Sequence, residues 1–273
     1  MSDSSSAPTD SPKIVVITGA STGIGAALAV ECHRRGDVPV LAARRETELA
    51  ALAARLLADN APAFFVVTDV TRRADVEHLV ERTLDRYGRI DVWVNNAGRG
   101  MTRSVSQLTD GDLDEMMTVN VKSALYGMQA VLPHFKGRGD DGEGHIINVS
   151  SVLGRVPFFG PRSAYSASKH FLNALTANLR MELAQTHPGI AVSLFSPGVV
   201  ATDFGLNALH GGPDSRVMPN AQPVDEVAVA LAELMESRRA DAYSRPGFAA
   251  QVAAYYAAPD LAALEAEMAR PRS

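Results

Sequence analysis

Tyr165 and Lys169 stand four residues apart in Tyr165-Ser166-Ala167-Ser168-Lys169, a spacing that sets a phenol and an ammonium on one face of a helix. A free tyrosine has a pKa of about 10 and is a poor base at neutral pH, whereas a fixed cation beside it stabilises the phenolate. Lowering that pKa by about three units takes roughly 4 kcal/mol of differential stabilisation. A close lysine, joined by a second positive charge, can supply it. Out of context such a pair more often decorates a solvated helix face, so its surroundings decide.

A second stretch with chemistry is Thr18-Gly19-Ala20-Ser21-Thr22-Gly23-Ile24-Gly25, which follows the apolar run Ile14 to Ile17 and opens a helix. Glycines in that position let the chain turn tightly and bring backbone N–H groups against a pyrophosphate at the positive end of the helix. Small Ala26 and Ala27 then let the helix pack close to the sheet. No Lys-Ser or Lys-Thr pair ends the run, which argues against a nucleoside-triphosphate loop. The next strand ends in Ala42-Ala43-Arg44-Arg45, where a domain selecting NAD usually carries Asp or Glu for the ribose 2′-hydroxyl. Arg44 offers a permanently charged planar fork suited to a 2′-phosphate. NADP(H) is therefore the expected cofactor.

The elements that must carry these groups alternate regularly. Short apolar runs at Ile14 to Ile17, Val38 to Ala42, Ala63 to Val67, Asp91 to Val94, His145 to Val149 and Ala191 to Phe195 read as strands buried on both faces. Between them, Gly25 to Arg35, Glu46 to Ala58, Arg72 to Arg86, Asp110 to Lys136 and Ser163 to Gln185 read as helices. The fold class is α/β: a doubly wound parallel sheet, a Rossmann fold in a three-layer α/β/α sandwich. Residues 13–273 read as one dinucleotide-binding and catalytic domain, and residues 1–12, rich in Ser, Asp and Pro, as a disordered tail. Residues 203–222 break the alternation on the ligand-binding edge and read as a mobile lid.

Composition removes other classes. With 46% hydrophobic and 21% charged residues, a net charge of −5 and scattered arginines, the chain lacks the basic stripe of a nucleic-acid binder. No apolar run approaches the ~20 residues of a membrane span. The lone Cys32 cannot form an internal disulfide, which suits a reducing cytoplasm. None of the seven histidines shows metal-ligand spacing. Asp110, Asp112 and Asp114 beside Thr109 read as helix-start capping and dipole charges.

Taken together, Thr18 to Gly25, Asn95-Asn96-Ala97-Gly98 after the fourth strand, Ser151 after the fifth, Tyr165 with Lys169, and Ser196-Pro197-Gly198 after the sixth resemble the short-chain dehydrogenase/reductase family over about residues 13 to 240. The resemblance implies that Tyr165 is the acid/base at a carbonyl or secondary alcohol and that Ser151 hydrogen-bonds the reacting oxygen. It implies that Lys169 holds the nicotinamide ribose and that Asn120 holds a relay water. Ser151 is preferred to Ser150 because Ser151-Val152-Leu153-Gly154 resembles the family's Ser-x-x-Gly. The cofactor contacts implied are Gly19, Ser21, Thr22, Gly23, Ile24, Gly25, Arg44, Asp69, Val70, Asn96, Ala97, Gly98, Tyr165, Lys169, Pro197, Gly198, Val200 and Thr202, with Asp69 on the adenine amino group.

Ser151, Leu153, Phe158, Phe159, Tyr165 and Phe204 are the expected substrate contacts, with Val152, Val199 and Leu206 nearby and Arg99, Arg103 and Arg155 toward the mouth. They favour an apolar ketone or alcohol. One departure from the family is the stretch between Ser151 and Tyr165, one residue longer than usual and containing Pro157 and Pro161. A homotetramer or homodimer is expected, paired through the two long helices, whose apolar surface exceeds what the sheet can cover. The rival readings are a non-enzymatic NADP(H) sensor or scaffold and a sugar-nucleotide epimerase or dehydratase. The first has no need of the tyrosine, lysine and serine together. The second usually has a larger C-terminal substrate domain.

Overall fold

The computed structural model describes residues 11–58 and 63–269, so most of the expected tail lies outside the described residues. Seven strands, β1 (Ile14–Thr18), β2 (Val38–Ala43), β3 (Phe64–Val67), β4 (Val92–Asn95), β5 (Gly144–Val149), β6 (Ile190–Ser196) and β7 (Asp241–Tyr243), form one sheet in the order β3-β2-β1-β4-β5-β6-β7. Every pairing is parallel. Each link therefore needs a crossover, and the helices supply it.

The strands are apolar at consecutive positions because alternate side chains serve two cores. Val15, Ile17, Leu41, Val94, Ile147 and Phe195 face one side, where they pack with Leu28 of α1 (Gly23–Arg34), Leu49 of α2 (Glu46–Ala58) and Leu231 of α7 (Val224–Ser237). Val16, Val40, Trp93, Ile146 and Val192 face the other, against Leu79 of α3 (Arg73–Tyr87), Val131 of α5 (Ser123–Lys136) and Leu183 of α6 (Ser163–Thr186). The three-layer, doubly wound sandwich expected from the sequence is the observed architecture. Strand order reverses direction between β1 and β4, which opens a crevice above their C-terminal ends.

Element ends differ from the expected ones by one or two residues, and one helix differs in kind. The span expected as a single helix from Asp110 to Lys136 is α4 (Asp110–Met117), a π-helical turn at Thr118–Lys122 and then α5. The wide turn contains Asn120, whose side chain exchanges two hydrogen bonds with the backbone of Arg99 (2.8 and 3.0 Å). A helix that accommodates one extra residue per turn can aim that amide at a neighbouring loop. At the other end, α4 starts in a capping box between Thr109 and Asp112. Beyond β7, the short helices α8 (Gly247–Tyr256) and α9 (Leu261–Met268) fold back over the crevice, and Phe248 and Met268 pack beside Val152 and Val156.

Candidate active site

The crevice is one continuous cleft of about 1950 Å³. At its floor, β1 and β4 are locked together by Thr18. Its hydroxyl donates to the Val94 carbonyl (3.1 Å) and accepts from the amides of Asn96 (3.0 Å) and Ala97 (3.1 Å). Asn96 Nδ2 donates back to the carbonyls of Thr18 (2.8 Å) and Gly19 (3.3 Å). This leaves no room for side chains. A Cβ on Gly25 would lie 2.5 Å from the Gly19 carbonyl oxygen and 2.6 Å from Asn96 Nδ2. Gly19 itself has φ +68° and faces Ala97 Cα, which would stand 2.9 Å from an added Cβ. The result is a bare backbone concavity at the N-terminus of α1, which suits a pyrophosphate.

Two arginines border that concavity. Arg44 lines the cleft near Asp69. Burial raises the Asp69 carboxyl, but hydrogen bonds from the Thr71 hydroxyl (2.7 Å) and amide (3.0 Å), with Arg44 and Arg72 nearby, outweigh it and hold the group below its ordinary pKa. Arg45, not counted among the expected contacts, reaches back over the glycine loop. Its Nη2 donates to the hydroxyls of Ser21 (2.9 Å) and Thr22 (2.8 Å). The doubled Arg44-Arg45 was the available signal, because either residue can face the cleft at a strand-to-helix turn.

At the other end of the cleft, β5 delivers Ser150 and Ser151 and the first turns of α6 deliver Tyr165 and Lys169. The Ser150 hydroxyl donates to Asn173 Oδ1 (2.5 Å). The Ser151 hydroxyl accepts from the Leu153 amide (3.1 Å) and lies toward Tyr165. Lys169 Nζ donates to the Val149 carbonyl (2.9 Å) and stands 5.9 Å from the centre of the Tyr165 ring. Both side chains are buried, at 6% and 4% exposure. Burial pushes the Tyr165 phenol above 10, only partly countered by Ser151 and Arg162, and pushes Lys169 down to about 8. In the protein alone desolvation outweighs the lowering by Ser151 and Arg162, whereas the expected lowering by Lys169 is one joined by an oxidised nicotinamide. A buried neutral phenol is a proton donor.

Asn120 lies behind this group. The space above Gly98 is bounded by Asn120 Oδ1, 3.1 Å from where a Cβ would be, and by Lys169 Nζ at 3.5 Å. Asn120 Nδ2 also donates to Ser168 Oγ (3.1 Å). Of the residues expected to touch the cofactor or substrate or to take part in catalysis, all except Gly25 and Asn120 line the cleft, and those two sit immediately behind its wall. The segment after β6 closes over the glycine loop, with Thr202 Cγ2 3.5 Å from the Cβ position of Gly23. Phe204 sets its ring edge-on to Tyr165, centroids 5.7 Å apart. Leu153, Phe158, Phe159 and Val199 complete an apolar wall. Leu206, Arg103 and Arg155, expected near the pocket, are not part of it. Arg103 is drawn away to Asp112 (2.7 Å) and Arg155 to Asp241 (2.5 Å). Arg162, Phe248 and Met268 do line it and were not expected. The first follows Pro161 at a helix start, and the other two come from C-terminal helices whose docking no local pattern reveals.

A short chain dehydrogenase family model matches residues 13–210. An uncharacterized oxidoreductase of Staphylococcus epidermidis is 37% identical over 199 residues, 71% of this chain and 83% of that protein. Among solved structures, a short chain dehydrogenase/reductase from Burkholderia phymatum in complex with NAD superposes with a TM-score of 0.83 at 26% identity, covering 96% of this chain and 98% of that one. A short-chain dehydrogenase from Sphingobium yanoikuyae in complex with NADPH gives 0.77 at 32% identity, covering 96% of each. The chain belongs to the short chain dehydrogenase family of oxidoreductases.

Proposed function

We propose that the protein moves a hydride between NADP(H) and the carbonyl or secondary alcohol of a largely apolar small molecule. The observation that carries this reading is the meeting of Tyr165, Ser151 and Lys169 at one end of a cleft whose other end is the bare glycine concavity. A nicotinamide held by the glycine loop, Asn96 and Lys169 would supply the hydride. Tyr165 Oη holds the proton that the carbonyl oxygen takes up, and its raised pKa keeps that proton in place until an acceptor arrives. The Ser151 hydroxyl donates to the same oxygen. Lys169 fixes the ribose, and its ammonium favours the phenolate once the proton has left. Asn120, across the Gly98 gap from Lys169, is placed to hold a water that resupplies the proton.

Both NAD and NADPH occur among the similar structures, so the cofactor choice rests on this chain's own rim. Arg44 and Arg45 stand where an acid would reject a 2′-phosphate, and the bonds from Arg45 to Ser21 and Thr22 hold its fork beside the glycine loop. A homodimer or homotetramer is part of the same reading, supported by exposed Leu113 on α4 and Phe171 and Met181 on α6. A cytoplasmic location suits the buried, protonated Cys32.

The test is the oxidation of NADPH and NADH by a panel of ketones. The parent should favour NADPH by about 5- to 150-fold in kcat/KM, a ratio that falls in Arg44→Ala and Arg45→Ala. Tyr165→Phe should bind NADPH normally and lose about 10²- to 10⁴-fold in turnover. Equal efficiency with both cofactors refutes the NADP(H) preference, and near-parental turnover in the Phe variant refutes the role of Tyr165.

A further inference from the structure

Arg162 is the N-cap residue of α6, one turn before Tyr165, and is 9% exposed. A guanidinium cannot shed its charge, so burying one without a partner is costly. Several arginines at or near the cleft are paired: Arg99 with Glu115 (3.0 Å), Arg103 with Asp112 (2.7 Å), Arg155 with Asp241 (2.5 Å), and Arg216 with Asp203 (2.9 Å) and Asp214 (2.7 Å). Among the described residues no carboxylate pairs with Arg162. The one hydrogen bond its side chain makes among the described residues is a long contact from Nη1 to the Met101 carbonyl (3.4 Å).

The backbone nonetheless makes room for it. Nη1 stands 2.6 Å from where a Cβ of Gly100 would be, and Nη2 3.1 Å from that of Gly212. Phe204 borders the same space, 3.0 Å from the Gly100 position, and the same ring touches Tyr165. Arg162 itself lines the cleft, as do Phe204 and Tyr165, so its guanidinium is held next to the acid/base. The positive end of a 24-residue helix reinforces its charge rather than offsetting it.

We propose that Arg162 is the receptor for a carboxylate on the substrate, so that the compound taken by this cleft is an oxo or hydroxy acid with an apolar body. The proposal rests on the hydride-transfer reading for the word substrate, but the anion site stands on Arg162 alone. A planar carboxylate matches the guanidinium fork and supplies the counter-charge the protein withholds. The body lies against Leu153, Phe158 and Phe204, with the carbonyl at Tyr165 and Ser151. Burial already disfavours the charged form of Arg162, and an incoming carboxylate reverses that.

The experiment has two arms. Short- to medium-chain oxo acids and their methyl esters are compared as substrates with NADPH. In parallel, saturated carboxylates and the matching carboxamides are titrated calorimetrically into the protein with NADP+. Acids should exceed esters in kcat/KM by about tenfold or more, mainly through KM, and carboxylates should bind tighter than amides by a similar factor. Arg162→Gln should collapse both ratios toward one, and Arg162→Lys should keep part of each. Equal binding of carboxylate and amide by the parent overturns the proposal, whether or not the glutamine variant folds, and so does an unchanged ratio in that variant. If carboxylates bind through Arg162 while no ketone is reduced, the anion site stands and the hydride-transfer reading falls.

Discussion

Replacing Gly25 by alanine isolates the close packing under the cofactor cleft. The new methyl carbon would lie 2.5 Å from the Gly19 carbonyl oxygen and 2.6 Å from Asn96 Nδ2. The first is backbone and cannot swing aside. The second holds the carbonyls of Thr18 and Gly19 at 2.8 and 3.3 Å, so moving it breaks two of the bonds that tie the end of β4 to the glycine loop. Alanine gains about 0.8 to 1 kcal/mol over glycine inside a helix. Against that stand an overpacking cost of about 1 to 3 kcal/mol and two hydrogen bonds worth about 0.5 to 1.5 kcal/mol each. The balance is a loss of roughly 1 to 5 kcal/mol, a fall in melting temperature of about 2 to 4 °C for each kcal/mol in a domain of this size. Because the displaced atoms form the concavity itself, NADPH affinity should fall at least about tenfold. Gly36→Ala is the control: its φ is +87° with nothing within 4 Å, so it should lose stability through backbone strain alone and bind NADPH like the parent. Thermal melts and NADPH fluorescence titrations read both quantities. A Gly25→Ala protein with parental melting and affinity refutes the argument that this backbone approach shapes the cofactor site.

Two further outcomes follow from single residues. Lys169, held at about 8 by burial against an ordinary 10.5, binds fewer protons folded than unfolded between those values, so stability rises with pH across that window and the cost is fully present below it. Lys169→Met, without cofactor, should therefore be more stable than the parent by about 1 to 3 kcal/mol at pH 7 after allowing for the lost bond to Val149. The advantage should vanish near pH 10.5, and denaturant unfolding at the two pH values showing a constant difference would refute the buried charge. His210 sits at φ +63°, with its Nε2 2.6 Å from Asp112 Oδ1, and pins the 203–222 segment to α4. His210→Gly relieves the backbone but cuts the pin, so amide exchange at Asn207 and Gly211 should quicken while that of α4 holds. Unchanged exchange would show that the pin carries no load.

The architecture was legible because a doubly covered parallel sheet writes itself into the sequence as short continuous apolar runs. Val15 and Val16 need the same chemistry although they face different cores. The glycine loop was legible for a related reason: backbone that must approach backbone admits few residue types. The helix read from Asp110 to Lys136 was wrong only at Thr118–Lys122, where the periodicity of apolar residues cannot register one extra residue in a turn. The amide of Asn120 was the visible trace of it.

Charge was harder to place, for a reason that bears on function. A sequence gives each arginine the same +1, and only the folded chain decides which of them meet acids. Arg103 and Arg155 looked as available for a ligand as any other, yet Asp112 and Asp241 claim them, nine and 86 positions away in the chain. Arg162 follows a proline at a helix start, an unpromising place for a cation, and the fold leaves it there without an acid. Surface arginines can remain unpaired at little cost, because water does the work of a counter-ion. A largely buried one that lines a cleft beside the acid/base keeps donors that a ligand entering the cleft can use. The residues most informative about the substrate are therefore those the protein leaves without an acid partner, and Arg162 is one of them in this cleft.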